Sequence, residues 1–263
     1  MLRVVFFSHF SADPFFNMAF DEWMFETVRT NNDFVLMRLY TWATPTITIG
    51  LNQKAQQAVD WSLLGNTPVI RRVTGGRAVY HDLSELTYSI SANPKDGVHC
   101  RLSGSVSAVH QAIAQALVLF LEKCRVSTEI VRRSSPSNSA PEYFHTAPCF
   151  DSVARDELVC GGRKILASAQ RRVGSAFLQH GSIKLSGLAT HPALTPTDRS
   201  DRTPLDPVDE SRFNAYFDRF KRAMSESLEL QRSTGELLPD TPEAVSQRGY
   251  SLRNNPLERR IIL

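Results

Sequence analysis

Residues 71–82, which read RRVTGGRAVYHD, constrain the fold more than any other stretch of the chain. Apolar and β-branched residues flank the glycines on both sides, at Val69-Ile70 and at Ala78-Val79-Tyr80. This pattern predicts two short strands with Thr74-Gly75-Gly76 as the turn between them. Glycine tolerates positive φ, and its missing Cβ lets backbone N–H groups approach a bound anion or carbonyl oxygen.

Three arginines accompany this turn, Arg71, Arg72 and Arg77. A guanidinium is planar and permanently charged, so it suits phosphate or carboxylate groups. The glycines and arginines together therefore indicate a binding site. The alternative is a hairpin turn with solvated arginines, because a glycine pair alone is also typical of ordinary turns.

Length and composition indicate one domain over residues 1–263. With 42% hydrophobic and 22% charged residues, the chain can bury a core and is not disordered. A net charge of +3 is too small to favour nucleic-acid binding. The apolar run at residues 4–7 is shorter than a signal-peptide core, and no run approaches the ~18 apolar residues of a membrane span. We therefore expect a cytoplasmic monomer that binds neither nucleic acid nor membranes.

The cysteines show neither zinc-ligand spacing nor the pattern of a disulfide framework, so free thiols and no metal site are expected. Cys124 falls on the apolar stripe of a predicted helix, where it would serve as a core residue. Cys149 differs, because it lies in a loop outside any apolar stripe. A loop cysteine is either an inert surface thiol or, beside a positive charge that favours the thiolate, a nucleophile. The other two cysteines are Cys100 and Cys160, and neither has a partner pattern.

Capping residues and apolar periodicity predict the helices. Helix starts occur at Asp13-Pro14, at Ser103 or Ser105, at Glu210 and at Thr241-Pro242. The last two predict a helical closure over residues 209–263. Asn17 and Asp21 share a face of the first helix, where they are either solvated or packed beside a sheet.

Runs of β-branched and aromatic residues predict strands over residues 4–7, 34–40, 46–49, 86–90 and 129–131. His81 and Asp82 follow the glycine turn. Neighbouring side chains in a strand point to opposite faces, so both cannot enter one pocket. We interpret His81 as a pocket-lining or structural residue.

The stretch 71–82 resembles the signature of the lipoate-protein ligase, octanoyltransferase and biotin ligase superfamily, R-R-x-[ST]-G-G-x-A-V-x-H-D. Residues 17–22 resemble the first helix of that family, 162–170 its lysine strand, and 179–183 the segment that follows. The resemblance covers roughly residues 10–185. It implies an α+β fold with mixed, largely antiparallel sheets flanked by helices, the class II synthetase-like catalytic fold, without an accessory domain.

The resemblance also implies the site. Single-domain octanoyltransferases of the family carry C-F-x-S and G-R-K-x-x-x-S-A-Q where this chain has residues 149–152 and 162–170. By this resemblance Cys149 is the nucleophile, and Lys164 stabilises its thiolate and the developing charge on the acyl oxygen. Val73, Val79 and Ala167 would line the acyl pocket. The residues implied to bind substrate are Arg71, Arg72, Thr74, Gly75, Gly76, Arg77, Val79, His81, Ala167, Ser168, His180 and Gly181.

Three activities are compatible with this resemblance. The first is ping-pong transfer of an octanoyl group from acyl carrier protein to a lysine of a lipoyl domain, with no cofactor. The second is a lipoate-protein ligase that uses ATP and magnesium; Arg77 argues against it, because such ligases carry a third glycine at that position and an arginine would crowd the adenylate. The third is a non-catalytic relative that binds lipoyl domains or acyl chains.

Overall fold

A computed structural model describes residues 3–32, 34–94, 100–130, 158–160, 163–185, 189–194, 207–230 and 261–262 of the chain. The helices are α1 (Pro14–Thr30), α2 (Ala55–Ala58), α3 (Val106–Lys123) and α4 (Glu210–Ser227), with a short 3-10 helix at Trp61–Leu63. The strands are β1 (Arg3–Ala12), β2 (Phe34–Trp42), β3 (Thr46–Ile49), β4 (Val69–Arg71), β5 (Val79–His81), β6 (Leu86–Ala92), β7 (Glu129–Ile130), β8 (Leu158–Cys160), β9 (Arg163–Lys164), β10 (Leu166–Val173), β11 (Ala176–Ile183) and β12 (Ile261–Ile262).

Side-chain caps begin the three long helices. The Asp13 carboxylate accepts hydrogen bonds from the N–H groups of Phe15 and Phe16, and Pro14 occupies the first turn, where its missing N–H costs nothing. Ser105 caps α3 and Asp209 caps α4 in the same way. The helix starts predicted at Asp13-Pro14, Ser105 and Glu210 are confirmed. The helix start predicted at Thr241 lies outside the described residues.

A five-stranded sheet in the order β1-β2-β6-β11-β10 forms the centre of the fold. Only β1 and β2 are parallel; the other neighbours are antiparallel. One face packs against α3 and α4 through an apolar core that includes Tyr88, Ile113 and Phe220. The other face lies against α1. Because side chains alternate along a strand, this second face carries a separate set of residues, and many of them are polar.

A second sheet has the order β12-β4-β3-β5, with β3 parallel to β4 and antiparallel to β5. The turn at residues 74–76 therefore joins two strands, as predicted, but they are not neighbours: the chain crosses β3 to reach β5. The hairpin alternative is wrong for this reason.

The chain after residue 209 contributes more than the expected helical closure. Helix α4 packs against α3. The two isoleucines of β12, however, extend the second sheet by pairing with β4. β-Branched residues suit such an edge position. A third small sheet has the order β7-β8-β9. In the part of the chain that the structure describes, no helix is long and apolar enough to cross a membrane.

Candidate functional site

A pocket lies between the five-stranded sheet and the turn of the second sheet. It encloses about 430 Å³ of space, part of it open to solvent. Its walls come from α1, β2, β3, β5, β6, β10 and β11 together with the turn after β4. The lining residues are Met18, Tyr40, Thr48, Arg72, Gly76, Val79, His81, Thr87, Ala167, Ser168, Ala169, His180, Gly181 and Ser182.

Most of the residues that the sequence analysis assigned to substrate binding meet in this lining. They are Arg72, Gly76, Val79, His81, Ala167, Ser168, His180 and Gly181. Thr74, Gly75 and Arg77 lie in the adjoining turn, and Arg71 ends β4. Val73 lies elsewhere: it packs among the apolar residues between α1 and the large sheet.

Arg71 holds the loop that follows β3. Its Nη1 donates to the carbonyl oxygens of Gly50, Leu51 and Gln53 at 2.9, 3.0 and 2.6 Å. The guanidinium thus orders neighbouring backbone, a role that the sequence pattern did not suggest.

Arg72 holds the glycine turn itself. Its Nη2 donates to the carbonyl oxygens of Gly75 at 2.7 Å and Arg77 at 2.8 Å, and its Nε donates to the Thr74 hydroxyl at 3.2 Å. The Arg72 side chain is buried. Gly76, in the middle of this turn, has φ of 90°, a conformation that favours glycine.

Gly50 is needed for the turn to approach β3. A Cβ at Gly50 would lie 2.0 Å from the carbonyl oxygen of Gly76, which is far inside van der Waals contact. We expect Gly50→Ala to displace the turn and lower the free energy of unfolding by about 2–3 kcal/mol, the scale of overpacking at a tight site. Urea titration measures this. Gly75→Ala is the matched control, because a Cβ there meets nothing within 4 Å; equal losses in the two variants would contradict the expectation.

Asp21 lies at the centre of a buried polar cluster between α1 and the large sheet. One carboxylate oxygen accepts from Arg38 Nη1 at 3.2 Å and from the Ser89 hydroxyl at 2.5 Å. The other accepts from the Tyr40 hydroxyl at 3.0 Å and contacts His180 Nδ1 at 2.8 Å. Burial opposes ionisation of Asp21, but its hydrogen bond and charge interactions with His180 and the Arg38 charge outweigh it and lower its pKa.

Asn17 completes this cluster, because its side-chain oxygen accepts from Arg38 Nη2 at 2.5 Å. The interpretation of Asn17 and Asp21 as solvated residues is wrong, since both are buried. Their helix face meets Arg38, which stands alone in an otherwise apolar strand. A lone arginine in the run FVLMRLY was the available sequence signal for a buried ion pair.

A second buried cluster surrounds Glu85. Its Oε1 contacts His81 Nδ1 at 2.7 Å and accepts from the Thr87 hydroxyl at 2.8 Å. Its Oε2 accepts from the Ser182 hydroxyl at 2.8 Å and from Lys184 Nζ. Burial alone would raise the pKa of Glu85, but the Lys184 charge and the His81 contact lower it to about 2.

Lys184 joins Glu85 to Asp82, whose Oδ2 accepts from Nζ at 2.7 Å. Burial opposes its charge, but Glu85 and Asp82 raise its pKa, so the lysine is charged. No sequence pattern predicted a role for Glu85 or Lys184. The expectation that His81 and Asp82 point to different surroundings is confirmed, because His81 lines the pocket while Asp82 binds Lys184.

His81 forms part of the pocket wall with one ring face covered by Trp42, whose ring is stacked at 4.2 Å. Burial lowers the pKa of His81, so the ring is neutral at pH 7. The Trp42 N–H donates to Thr87 at 2.9 Å, which fixes the indole behind the wall.

The polar side chains of this wall use their hydrogen-bonding atoms on one another. Thr48 Oγ1 contacts His81 Nε2 at 2.8 Å, and the Thr87 and Ser182 hydroxyls donate to Glu85. What these residues offer a ligand is therefore largely carbon surface, alongside Met18, Val79 and Ala167. A wall of this kind suits an aliphatic chain, because a polar chain would find few partners.

Gly181 allows the Tyr88 side chain to pass over β11. It pairs with Tyr88 on one side and Ser168 on the other. The Tyr88 hydroxyl reaches over it to Ser168 Oγ at 2.8 Å. A Cβ at Gly181 would lie 2.7 Å from the Tyr88 ring and 2.8 Å from Ser168 Oγ. Glycine is thus required at this position for Tyr88 to reach Ser168 across β11.

Lys164, the predicted partner of the nucleophile, is buried in β9 and pairs in register with Val159 of β8. Cys149 lies outside the described residues, as do His145, Asp151 and Gly162. Cys124 packs partly buried against the main core, as predicted, and burial raises its pKa to about 11. Among the described residues, no group of three or more His, Cys, Asp or Glu could hold a metal ion.

Comparison with known proteins shows the family of the chain. Residues 13–195 match the family described as the lipoyl protein ligase A/B catalytic domain. The chain belongs to this family. The resemblance noted in the sequence and the expected α+β, class II synthetase-like fold are both confirmed.

Similar proteins include the octanoyltransferase LipM of Moorella thermoacetica, 37% identical over 177 residues, and that of Carboxydothermus hydrogenoformans, 39% identical over 181 residues. These matches cover 66% and 68% of this chain but 62% and 63% of the relatives, so they span less than two thirds of the relatives' length. The octanoyltransferase LipM of Halalkalibacterium halodurans is 30% identical over 239 residues, with 82% of this chain and 85% of the relative covered.

Solved structures with this fold include a lipoate-protein ligase A bound with ATP, with a TM-score of 0.65 at 19% identity over 97% of this chain and 94% of the other. A bipartite lipoate protein ligase from Thermoplasma acidophilum gives a TM-score of 0.64 at 17% identity over 97% and 93%. At these identities the likeness is one of fold.

Proposed function

We propose that the chain is an octanoyltransferase that moves an octanoyl group from acyl carrier protein to a lysine of a lipoyl domain, through a thioester on Cys149. The observation that carries the proposal is the identity of 30–39% to octanoyltransferases LipM. The carbon-rich pocket wall supports it, because an eight-carbon chain needs no polar partner along its length.

The first half-reaction forms the acyl-enzyme. The Cys149 thiolate attacks the carbonyl carbon of the octanoyl thioester, forming a new S–C bond. The carrier S–C bond breaks, and the carrier thiol takes up the proton that Cys149 lost on ionising. Lys164 stabilises the thiolate and the negative charge that develops on the acyl oxygen, together with backbone N–H groups of the Gly75-Gly76 turn.

The second half-reaction regenerates the enzyme. The neutral amine of a lipoyl-domain lysine attacks the acyl-enzyme, forming the amide C–N bond. The S–C bond to Cys149 breaks, and the amine proton returns to the sulfur. No ATP or metal takes part in either step, because the thioester already carries an activated acyl group.

The test incubates the purified protein with octanoyl carrier protein, without ATP, and measures its intact mass. We expect a gain of one octanoyl group, which then moves to added lipoyl domain. Modification of the lipoyl domain by free lipoate only when ATP and magnesium are present would replace the proposal with the ligase alternative. Absence of modification under both conditions would favour the non-catalytic binding protein.

A further inference from the structure

Two chains of hydrogen bonds converge on Arg72, and each runs through a threonine and a histidine to a carboxylate. In the first, Arg72 Nε donates to Thr74 Oγ1 at 3.2 Å, Thr74 Oγ1 contacts His180 Nε2 at 2.6 Å, and His180 Nδ1 contacts Asp21 Oδ2 at 2.8 Å. All four side chains are buried. This chain ties β11 and α1 to the glycine turn.

The second chain, on the other side of the guanidinium, also runs from a threonine to a histidine to a carboxylate. Arg72 Nη1 lies 3.3 Å from Thr48 Oγ1, Thr48 Oγ1 lies 2.8 Å from His81 Nε2, and His81 Nδ1 lies 2.7 Å from Glu85 Oε1. Arg72 is therefore supported through two of its three nitrogens by hydroxyls whose orientation depends on a histidine.

The carboxylates fix the direction of these hydrogen bonds. An ionised carboxylate only accepts, so the Nδ1 atom of each histidine carries a proton, and an imidazole with that single proton leaves Nε2 as an acceptor. The Thr74 hydroxyl must then donate its proton to His180 Nε2. Its oxygen lone pairs remain available to Arg72 Nε. A histidine with its proton on Nε2 would instead donate to Thr74 Oγ1, and the Thr74 hydroxyl proton would no longer be directed at the ring.

The orientation of the Arg72 guanidinium in turn fixes the backbone of the glycine turn. It holds the carbonyl oxygens of Gly75 and Arg77. In a planar trans peptide the N–H points opposite to the C=O, so the N–H groups of Gly76 and Ala78 face away from Arg72. Gly76 lines the pocket.

We propose that Asp21, His180 and Thr74 are positioning residues for acyl transfer, which set the direction of the Gly76 N–H through Arg72. This inference rests on the proposed function, because it concerns the oxyanion of that reaction. Thr74 itself is fully buried and is not among the lining residues, so its contribution passes through Arg72 and not through contact with substrate.

The test compares Thr74→Val, which keeps the shape and removes the hydroxyl, with Thr74→Ser, which restores it. We expect Thr74→Val to lower kcat for octanoyl transfer about 100-fold, the scale on which a small misplacement of catalytic groups acts, with KM changed less than about twofold. Thr74→Ser should recover most of kcat. Thr46→Val is the control: Thr46 is a buried hydroxyl of the same sheet whose partner is the Thr44 carbonyl, and it should leave kcat unchanged.

Two signals in nuclear magnetic resonance spectra test the chain without any turnover. The imidazole ¹⁵N shifts of His180 should report the Nδ1–H form in the wild type and the Nε2–H form in Asp21→Asn, whose amide must donate to Nδ1. The amide resonance of Gly76 should move in Thr74→Val and return in Thr74→Ser. If Asp21→Asn does not fold because Arg38 loses its partner, the comparison of Thr74→Val with Thr74→Ser still tests the positioning role.

The outcomes separate this inference from the proposed function. A wild type that transfers no octanoyl group would sink the proposed function and with it the role in transfer. Normal transfer with an Nε2–H His180, or with Thr74→Val as active as Thr74→Ser, would overturn the positioning role alone.

Discussion

Replacing Cys149 with serine is expected to abolish the octanoyl adduct and to lower transfer to the lipoyl domain by roughly 10³–10⁶-fold, the range seen when a catalytic nucleophile is removed. A serine hydroxyl has nearly the same size as a thiol but is hardly ionised near pH 7, so Lys164 would have no anion to stabilise. Intact-mass measurement after mixing with octanoyl carrier protein detects the adduct directly, and a coupled assay with lipoyl domain gives the rate.

Cys160→Ser is a stringent control for this experiment. Cys160 is half-buried in β8, which pairs with the strand that carries Lys164. The substitution therefore tests a neighbouring thiol without removing the proposed nucleophile, and we expect the adduct to form. An adduct that survives Cys149→Ser, or that is lost equally in both variants, would refute the covalent mechanism.

The elements that the sequence predicted are those set by local chemistry. Asp13 with Pro14, and Ser105, mark helix starts because a capping side chain and its target N–H groups lie within three residues of each other. The strands at residues 46–49 and 86–90 follow from runs of β-branched and aromatic residues. The turn at Gly75-Gly76 was predicted for the same reason, since glycine acts at its own position.

The sequence could not predict how distant residues pair. His180 meets Asp21 across 159 residues and Lys184 meets Glu85 across 99, and no local pattern encodes either contact. The sequence left Asp21 as either solvated or packed beside a sheet, because a carboxylate on a helix is usually exposed unless a partner is known. The position of β3 between β4 and β5 likewise could not be predicted, because tertiary packing decides the order of strands in a sheet.

Lys184→Met is expected to lower the free energy of unfolding at pH 7 by about 3–5 kcal/mol, the usual cost of removing one member of a buried ion pair. Methionine fills a similar volume, but Glu85 and Asp82 would keep their charges without the ammonium. Glu85 is fully buried, so water cannot compensate. Guanidinium titration at pH 7 measures the loss, which is a large fraction of the stability of an ordinary domain.

The pH dependence of this loss follows from Glu85. Its pKa falls from 4.5 to about 2 on folding, which corresponds to roughly 3 kcal/mol of stabilisation. Because the pKa is lower in the folded protein, this stabilisation is fully present above pH 4.5 and is lost as the pH falls toward 2. Without Lys184 the pKa of Glu85 is depressed less. The difference in stability between wild type and Lys184→Met should therefore be largest above pH 4.5 and shrink toward pH 2.

Lys123→Met is the control, because it removes the lysine of an ion pair that is exposed to solvent. Lys123 pairs with Glu226 at 3.0 Å, but 32% and 61% of the two side chains are exposed, so the loss should stay below about 1 kcal/mol. Adding Glu85→Gln to Lys184→Met should recover part of the stability, because it removes one of the uncompensated charges. A Lys184→Met variant no less stable than Lys123→Met, or a loss of stability that does not change between pH 7 and pH 3, would show that Lys184 does not hold Glu85 ionised.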